Sequence, residues 1–209
     1  ACYQKGYQYL AICDHSQSLT VANGLSSDEL KKQWAEIDSL NQKLEINILK
    51  GAEVDILSSS LDYKNGILKE LDIVVASVHS GFGDSKEKMI ERIFRALENP
   101  YVHILGHPTG RLILDRAAYN IDLKKIITKA IDTNTILEIN AAPQRLDLSA
   151  TNIKLAKELG AKFVINTDAH HLEQLDNIEY GVGIARKGWL ESKNVINTFD
   201  FKKLKKILK

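Results

Sequence analysis

The chain of 209 residues holds only two cysteines, three prolines and one methionine. Cys2 and Cys13 are too few for a disulfide framework, and Cys13, set in an apolar run, reads as a buried thiol. No apolar run approaches the ~20 residues of a membrane span, and no signal peptide or lipidation motif is visible. We therefore expect a cytoplasmic location. Charge of one sign is also missing. With 28 Lys and Arg against 27 Asp and Glu, the formal net charge is +1. No global basic field exists to grip a polyanion, so such a contact falls to a local patch. No glycine-rich loop follows the first apolar run; Asp14-His15-Ser16-Gln17 stands where a G-x-G-x-x-G would be needed, which counts against dinucleotide binding. Repeats, low-complexity tracts and a linker are absent too. The chain opens on Ala1 rather than Met and its first apolar run begins a few residues later, so we expect a piece of something longer.

What is present fits one domain over residues 1–209. That length buries roughly 70% of the unfolded surface. Short β-branched runs alternate with amphipathic stretches. The runs predict strands at Tyr9–Cys13, Ile46–Val54, Ile73–Val78, Val102–Leu105, Ile136–Ile139 and Phe163–Asn166. Helices are predicted at Ser27–Leu44, Ser85–Glu98, Leu123–Thr133 and Thr151–Leu159, with Ser26 or Ser27 before Glu29 as a start signal and Gly160 as a stop. Strands separated by helices of this length imply βαβ units and a mainly parallel sheet, either open or barrelled. The tail Lys202–Lys209, with Leu204, Ile207 and Leu208 at helical spacing, predicts an amphipathic helix with a solvated lysine face.

The chemistry stands where the strands stop. The runs end in Cys13-Asp14-His15, Glu53-Val54-Asp55, Val78-His79-Ser80-Gly81, Gly106-His107-Pro108 and Thr167-Asp168-Ala169-His170. In a parallel βα fold all those ends open on one face, where active sites are built. Any one of these groups alone would be read as a surface or hydrogen-bonded residue; five on one rim point to metal. Imidazole with carboxylate suits Zn, Mn or Fe, and four imidazoles with two carboxylates exceed one tetrahedral ion, which argues for a cluster. We expect His15, Glu53, His79, His107, Asp168 and His170 as ligands. Asp14, beside His15, is expected in a direct or a supporting catalytic role. Asp55 continues into a loop and is left out; His103 and His171 are read as structural or solvated. Arg111, in Gly106-His107-Pro108-Thr109-Gly110-Arg111, either clamps phosphate and stabilises charge or anchors its loop by a salt bridge. Arg145, Asn140 and Ser80 are the further candidates for substrate contact. Ions held by such a rim lower the pKa of water and neutralise charge on phosphoryl oxygens.

These motifs resemble the PHP (polymerase and histidinol phosphatase) family, along essentially the whole chain. Ala22-Asn23-Gly24-Leu25, Gly110-Arg111-Leu112, Tyr180-Gly181-Val182-Gly183 and Arg186-Lys187-Gly188-Trp189-Leu190 are similar to its branch at the C-terminal end of bacterial family X DNA polymerases. The resemblance implies a distorted seven-stranded (βα)7 TIM-like barrel carrying two to three Mn or Zn ions on the ligand set above. For this branch it implies 3′–5′ exonuclease and related 3′-end processing in DNA repair, on DNA held with the rest of a polymerase. Other branches imply a small-molecule phosphomonoesterase of histidinol-phosphatase type, and a non-catalytic module of a polymerase is the third reading. The family's first His-x-His strand has no counterpart here. The expectation is therefore a truncated barrel of six strands that holds fewer ions and turns over less than a longer parent.

Overall fold

A computed structural model describes residues 1–208, so the last residue of the basic tail, Lys209, lies outside the described part. The six predicted strands form as β1 (Tyr9–Ile12), β2 (Asn47–Asp55), β3 (Ile73–Ser77), β4 (Ile104–Leu105), β5 (Ile136–Asn140) and β6 (Phe163–Asn166). All neighbours pair in parallel and the strand order follows the chain, β1-β2-β3-β4-β5-β6. The helices are α1 (Ser27–Asn41), α2 (Asn65–Leu68), α3 (Lys86–Leu97), α4 (Leu123–Asp132), α5 (Ala150–Leu159), α6 (Ile178–Lys187) and α7 (Phe201–Ile207). Ser26 caps α1 in a reciprocal box with Glu29, and Gly160 stops α5 in the left-handed conformation at φ 96°.

Helix α6 is absent from the sequence-based set, because Gly181 and Gly183 weaken its helical signal. Gly181 is needed for packing: a Cβ there would lie 2.4 Å from Ile165 Cγ2 and 2.8 Å from Ala141 Cβ. The helix can therefore lie closer to the sheet than any larger residue would allow. Strand β2 also runs further than expected and ends on Asp55, which is buried.

Alternation along the strands sorts side chains onto two faces. Val74, Ala76, Leu105, Leu137, Ile139, Phe163 and Ile165 pack outward under the helices, with Leu30, Ile93, Ile126 and Ile153. Leu49, Ile73, Val75, Ile104, Ile136 and Val164 point inward and meet Ile196, Leu204 and Leu208. The sheet thus curls into a half-barrel whose interior is filled by its own strands and by apolar side chains on and around α7. Leu204, Ile207 and Leu208 join this cluster while the lysines of the helix stay exposed, as their spacing predicts. Between the two edge strands lies the segment Val195–Phe199. Val195 bridges Phe163 in parallel, and the Asn197 amide exchanges hydrogen bonds with the main chain of Ile165 at 2.7 and 2.9 Å. From the other edge, the Tyr9 hydroxyl donates to the Phe199 carbonyl at 2.9 Å. Among the described residues no helix is long and apolar enough to cross a membrane.

Candidate metal centre

Each inward row of side chains changes from apolar to polar at the C-terminal ends of the strands. On β2 the row runs Leu49, Gly51, Glu53, Asp55; on β5 it runs Ile136, Glu138, Asn140. His15 follows β1 and pairs its backbone with Glu53 as an isolated parallel bridge. The half-barrel thereby gathers the polar groups at one mouth.

Glu53 is the hub. Its Oε2 lies 3.3 Å from His15 Nδ1, and its Oε1 lies 3.4 Å from His79 Nε2 and 3.0 Å from His107 Nε2. The imidazole centroids of His15 and His79 are 5.0 Å apart, those of His79 and His107 5.1 Å. Burial opposes ionisation of Glu53, yet the hydrogen bond from His107 and the imidazoles of His107 and His79 beside it outweigh burial and hold the carboxyl well below its usual range. Burial would lower His79, but contacts with Asp55 and Glu53 overcome it and push the imidazole up to about 9. His15 moves the other way, lowered first by burial, which Glu53 only partly offsets.

These groups fit a metal ion. Donor atoms of His15, Glu53 and His79 all lie within 4.8 Å of one another. His15 Nδ1 and His79 Nε2 are buried without a hydrogen-bonding partner and face the Glu53 carboxylate. Imidazole nitrogens left unpaired around a carboxylate form the donor mixture that intermediate transition metals take.

Asp168 and His170 lie outside that group of three donors. Asp168 Oδ2 accepts from Asn140 Nδ2 at 3.1 Å and lies 3.6 Å from Arg145 Nε. His170 is exposed, with its ring centroid 6.2 Å from that of His15. Two of the six expected ligands have positive φ, His107 at 23° and Asp168 at 51°. Strained backbone of this kind persists only where its surroundings hold it.

The expected substrate groups sit differently. Arg111 donates from Nε to the Arg145 carbonyl at 2.9 Å and from Nη2 to the Leu146 carbonyl. It anchors its loop through main-chain carbonyls rather than through the salt bridge considered from sequence. Arg145 Nη1 is buried and without a partner. Asn140 has its amide occupied, donating to Asp168 and to Glu138 and accepting from Ala142 N at 3.0 Å. Ser80 is exposed, and its carbonyl accepts from Arg92 Nη1 at 2.8 Å. Asp14 is exposed and receives the Gln33 amide of α1, pointing away from His15 as expected for neighbours on an extended segment. His103 precedes β4 and takes the Val74 N–H on Nδ1 at 3.0 Å; His171 is exposed.

Three participants escape the sequence reading. Asp55 contacts His79 Nδ1 through Oδ1, directing Nε2 of that ring toward Glu53. Its own place is fixed by Ser18 Oγ at 2.9 Å, while Ser16 Oγ accepts the Asp55 N–H at 2.9 Å. Arg92 of α3 is 3% exposed and donates to the carbonyls of Ile56 and Ser80, tying together the loops that follow β2 and β3. Glu138 is 4% exposed, and burial pushes its carboxyl up to about 7. A carboxylate inside the apolar run Ile136–Ile139 was the available signal.

No family model matches the chain. Over its whole length it is 52% identical to the DNA polymerase/3′-5′ exonuclease PolX of Bacillus subtilis and spans 37% of that protein. A protein named probable phosphatase from Thermoanaerobacter sp. strain X514 is 32% identical across 99% of this chain and 84% of its own length. The histidinol phosphate phosphatase of Lactococcus lactis, solved with zinc, L-histidinol and phosphate, shares the fold at a TM-score of 0.58 and 16% identity. That match covers 91% of this chain and 85% of the other.

Proposed function

The chain belongs to the PHP family, and on that premise we propose that residues 1–209 form one metal-dependent phosphoesterase domain acting on the 3′ ends of DNA. The observation that carries the phosphoesterase reading is the convergence of three imidazoles on Glu53, two of them with buried, unpaired nitrogens turned toward it. The DNA reading is supported by 52% identity, over the whole chain, to a protein named as a polymerase and 3′-5′ exonuclease. Such a role would join the domain to a polymerase that holds the DNA, in the cytoplasm.

His15, Glu53, His79 and His107 would hold the ion or ions, with Asp168 and His170 completing the set. The nitrogen and oxygen donors favour Mn or Zn. When bound, the ion supplies Lewis acidity and a lowered pKa for water. The chain's own groups do the positioning. Asp55 fixes the His79 ring by its Nδ1, so that Nε2 is presented to the site. Arg145 is held over Asp168 by the Arg111 clamp on its loop, and its free Nη1 would take a phosphate oxygen.

A small-molecule phosphomonoesterase is the second reading, favoured by the 32% identity to a probable phosphatase over most of both chains. The deciding experiment loads the protein with Mn or Zn. It then offers a 5′-labelled single-stranded oligonucleotide beside histidinol phosphate and p-nitrophenyl phosphate. A ladder shortening from the 3′ end supports the proposal. Release of phosphate from the small esters with an intact oligonucleotide replaces it with the second reading. A loaded protein inert on all three would be a non-catalytic module.

A further inference from the structure

Glu138 lies below the donor cluster and touches three of the segments that build it. Its Oε2 accepts the main-chain N–H of His107 at 2.6 Å and Asn140 Nδ2 at 3.3 Å, while its Oε1 accepts Asn166 Nδ2 at 2.7 Å. The same Asn140 amide also donates to Asp168 Oδ2 at 3.1 Å. One carboxylate on β5 therefore reaches the ends of β4 and β6 together. Both ligand-bearing segments it reaches, directly at His107 and through Asn140 at Asp168, have left-handed backbone, at φ 23° and 51°. A non-glycine residue enters that region only at a cost of roughly 1–2 kcal/mol. The backbone there needs an external partner, and for His107 the partner is Glu138.

We propose that Glu138 is a positioning residue of the metal centre: it holds the His107 backbone so that the ring meets Glu53, and braces Asp168 through Asn140. This rests on the metal-centre reading above. The geometry separates positioning from ligation. If Glu138 acts by accepting hydrogen bonds, glutamine can replace it. Its oxygen would take the His107 N–H, and Asn166 would turn its amide to offer oxygen to the new NH2. If Glu138 were itself a ligand, glutamine would fail as leucine does.

The test is a Co(II) titration of the whole chain, read by the visible absorption of the bound ion, on wild type, Glu138→Leu and Glu138→Gln. Circular dichroism of the metal-free proteins checks folding. Glu138→Leu should weaken Co(II) by roughly ten- to a hundredfold, the usual effect of removing a group that orients a ligand, and Glu138→Gln should stay near wild type. Equal loss in both variants overturns positioning in favour of ligation, and no loss in either overturns any role. If Glu138→Leu does not fold, Asn166→Asp decides instead. It sets two carboxylates against each other and should weaken Co(II), and adding Glu138→Gln should restore the donor–acceptor pair and the affinity. Failure of that restoration overturns the proposal. If wild type itself takes up no Co(II), the metal-centre reading falls; wild-type uptake with unaltered variants removes only the role of Glu138.

Discussion

Raising the pH of the metal-free protein should loosen the fold through one imidazole. His79 is held at about 9 in the folded chain against an ordinary 6.5, chiefly by Asp55 and Glu53 acting against burial. Because the folded value is the higher, the stabilisation is fully present below pH 6.5. It is lost as pH climbs through 9. A difference of that size is worth on the order of 3 kcal/mol. In a domain of this length it should lower Tm by about 6–12 °C. Glu138 adds a slope of the same sign earlier, between its ordinary 4.5 and about 7, as its buried carboxyl is forced to ionise. The assay is thermal unfolding in chelator from pH 5 to 10, with Asp55→Asn as the companion. That substitution removes the carboxylate from His79 Nδ1 and should shrink the decline between 6.5 and 9 and move it to lower pH. With Mn or Zn present the dependence should reverse over the same window. The ion competes with a proton for the ring, so apparent affinity rises with pH. A flat metal-free profile above pH 6.5, or an Asp55→Asn profile overlying wild type, would refute the reasoning.

Arg145→Ala should raise KM for a phosphodiester about tenfold, the worth of one charge-assisted hydrogen bond, with metal content unchanged by elemental analysis. Arg92→Met leaves the carbonyls of Ile56 and Ser80 without their donor and should cost about 3 kcal/mol in urea unfolding. Gly106→Ala would put a Cβ 2.1 Å from Ser77 Oγ and 2.9 Å from Val75 Cγ1. It should destabilise by about 2 kcal/mol and weaken metal binding measurably, because the residue that must shift precedes His107.

Much of the architecture was legible because the relevant signals are local. All six strands lie where β-branched runs predict them, and His15, His79 and His107, which end three of those runs, come together at Glu53. What stayed hidden depends on which loops touch. Arg111 follows His107 by four residues, yet nothing local tells that its guanidinium meets carbonyls 34 and 35 residues away. Asp55 looked like the start of a loop because the length of β2 is set by its pairing with β3, which runs to Ser77. Helix α6 was obscured by two glycines, one of which is there for close packing against Ala141 and Ile165. Glu138 falls in an apolar run, and only the pleat of β5 reveals that it shares a face with Asn140 rather than with Ile139.

The sequential strand order carries a consequence for assembly. Each strand pairs with the next one to be synthesised, so the sheet can grow by one βα unit at a time without waiting for distant partners. Its concave side is covered late, after all six strands, by Ile196 and then by α7 with Leu204 and Leu208 for the inner faces of Leu49, Ile73, Ile104 and Val164. Nascent chains stalled before Val195 should therefore bind hydrophobic dyes and chaperones while already holding their parallel ladder, and release them when Ile196 and α7 dock.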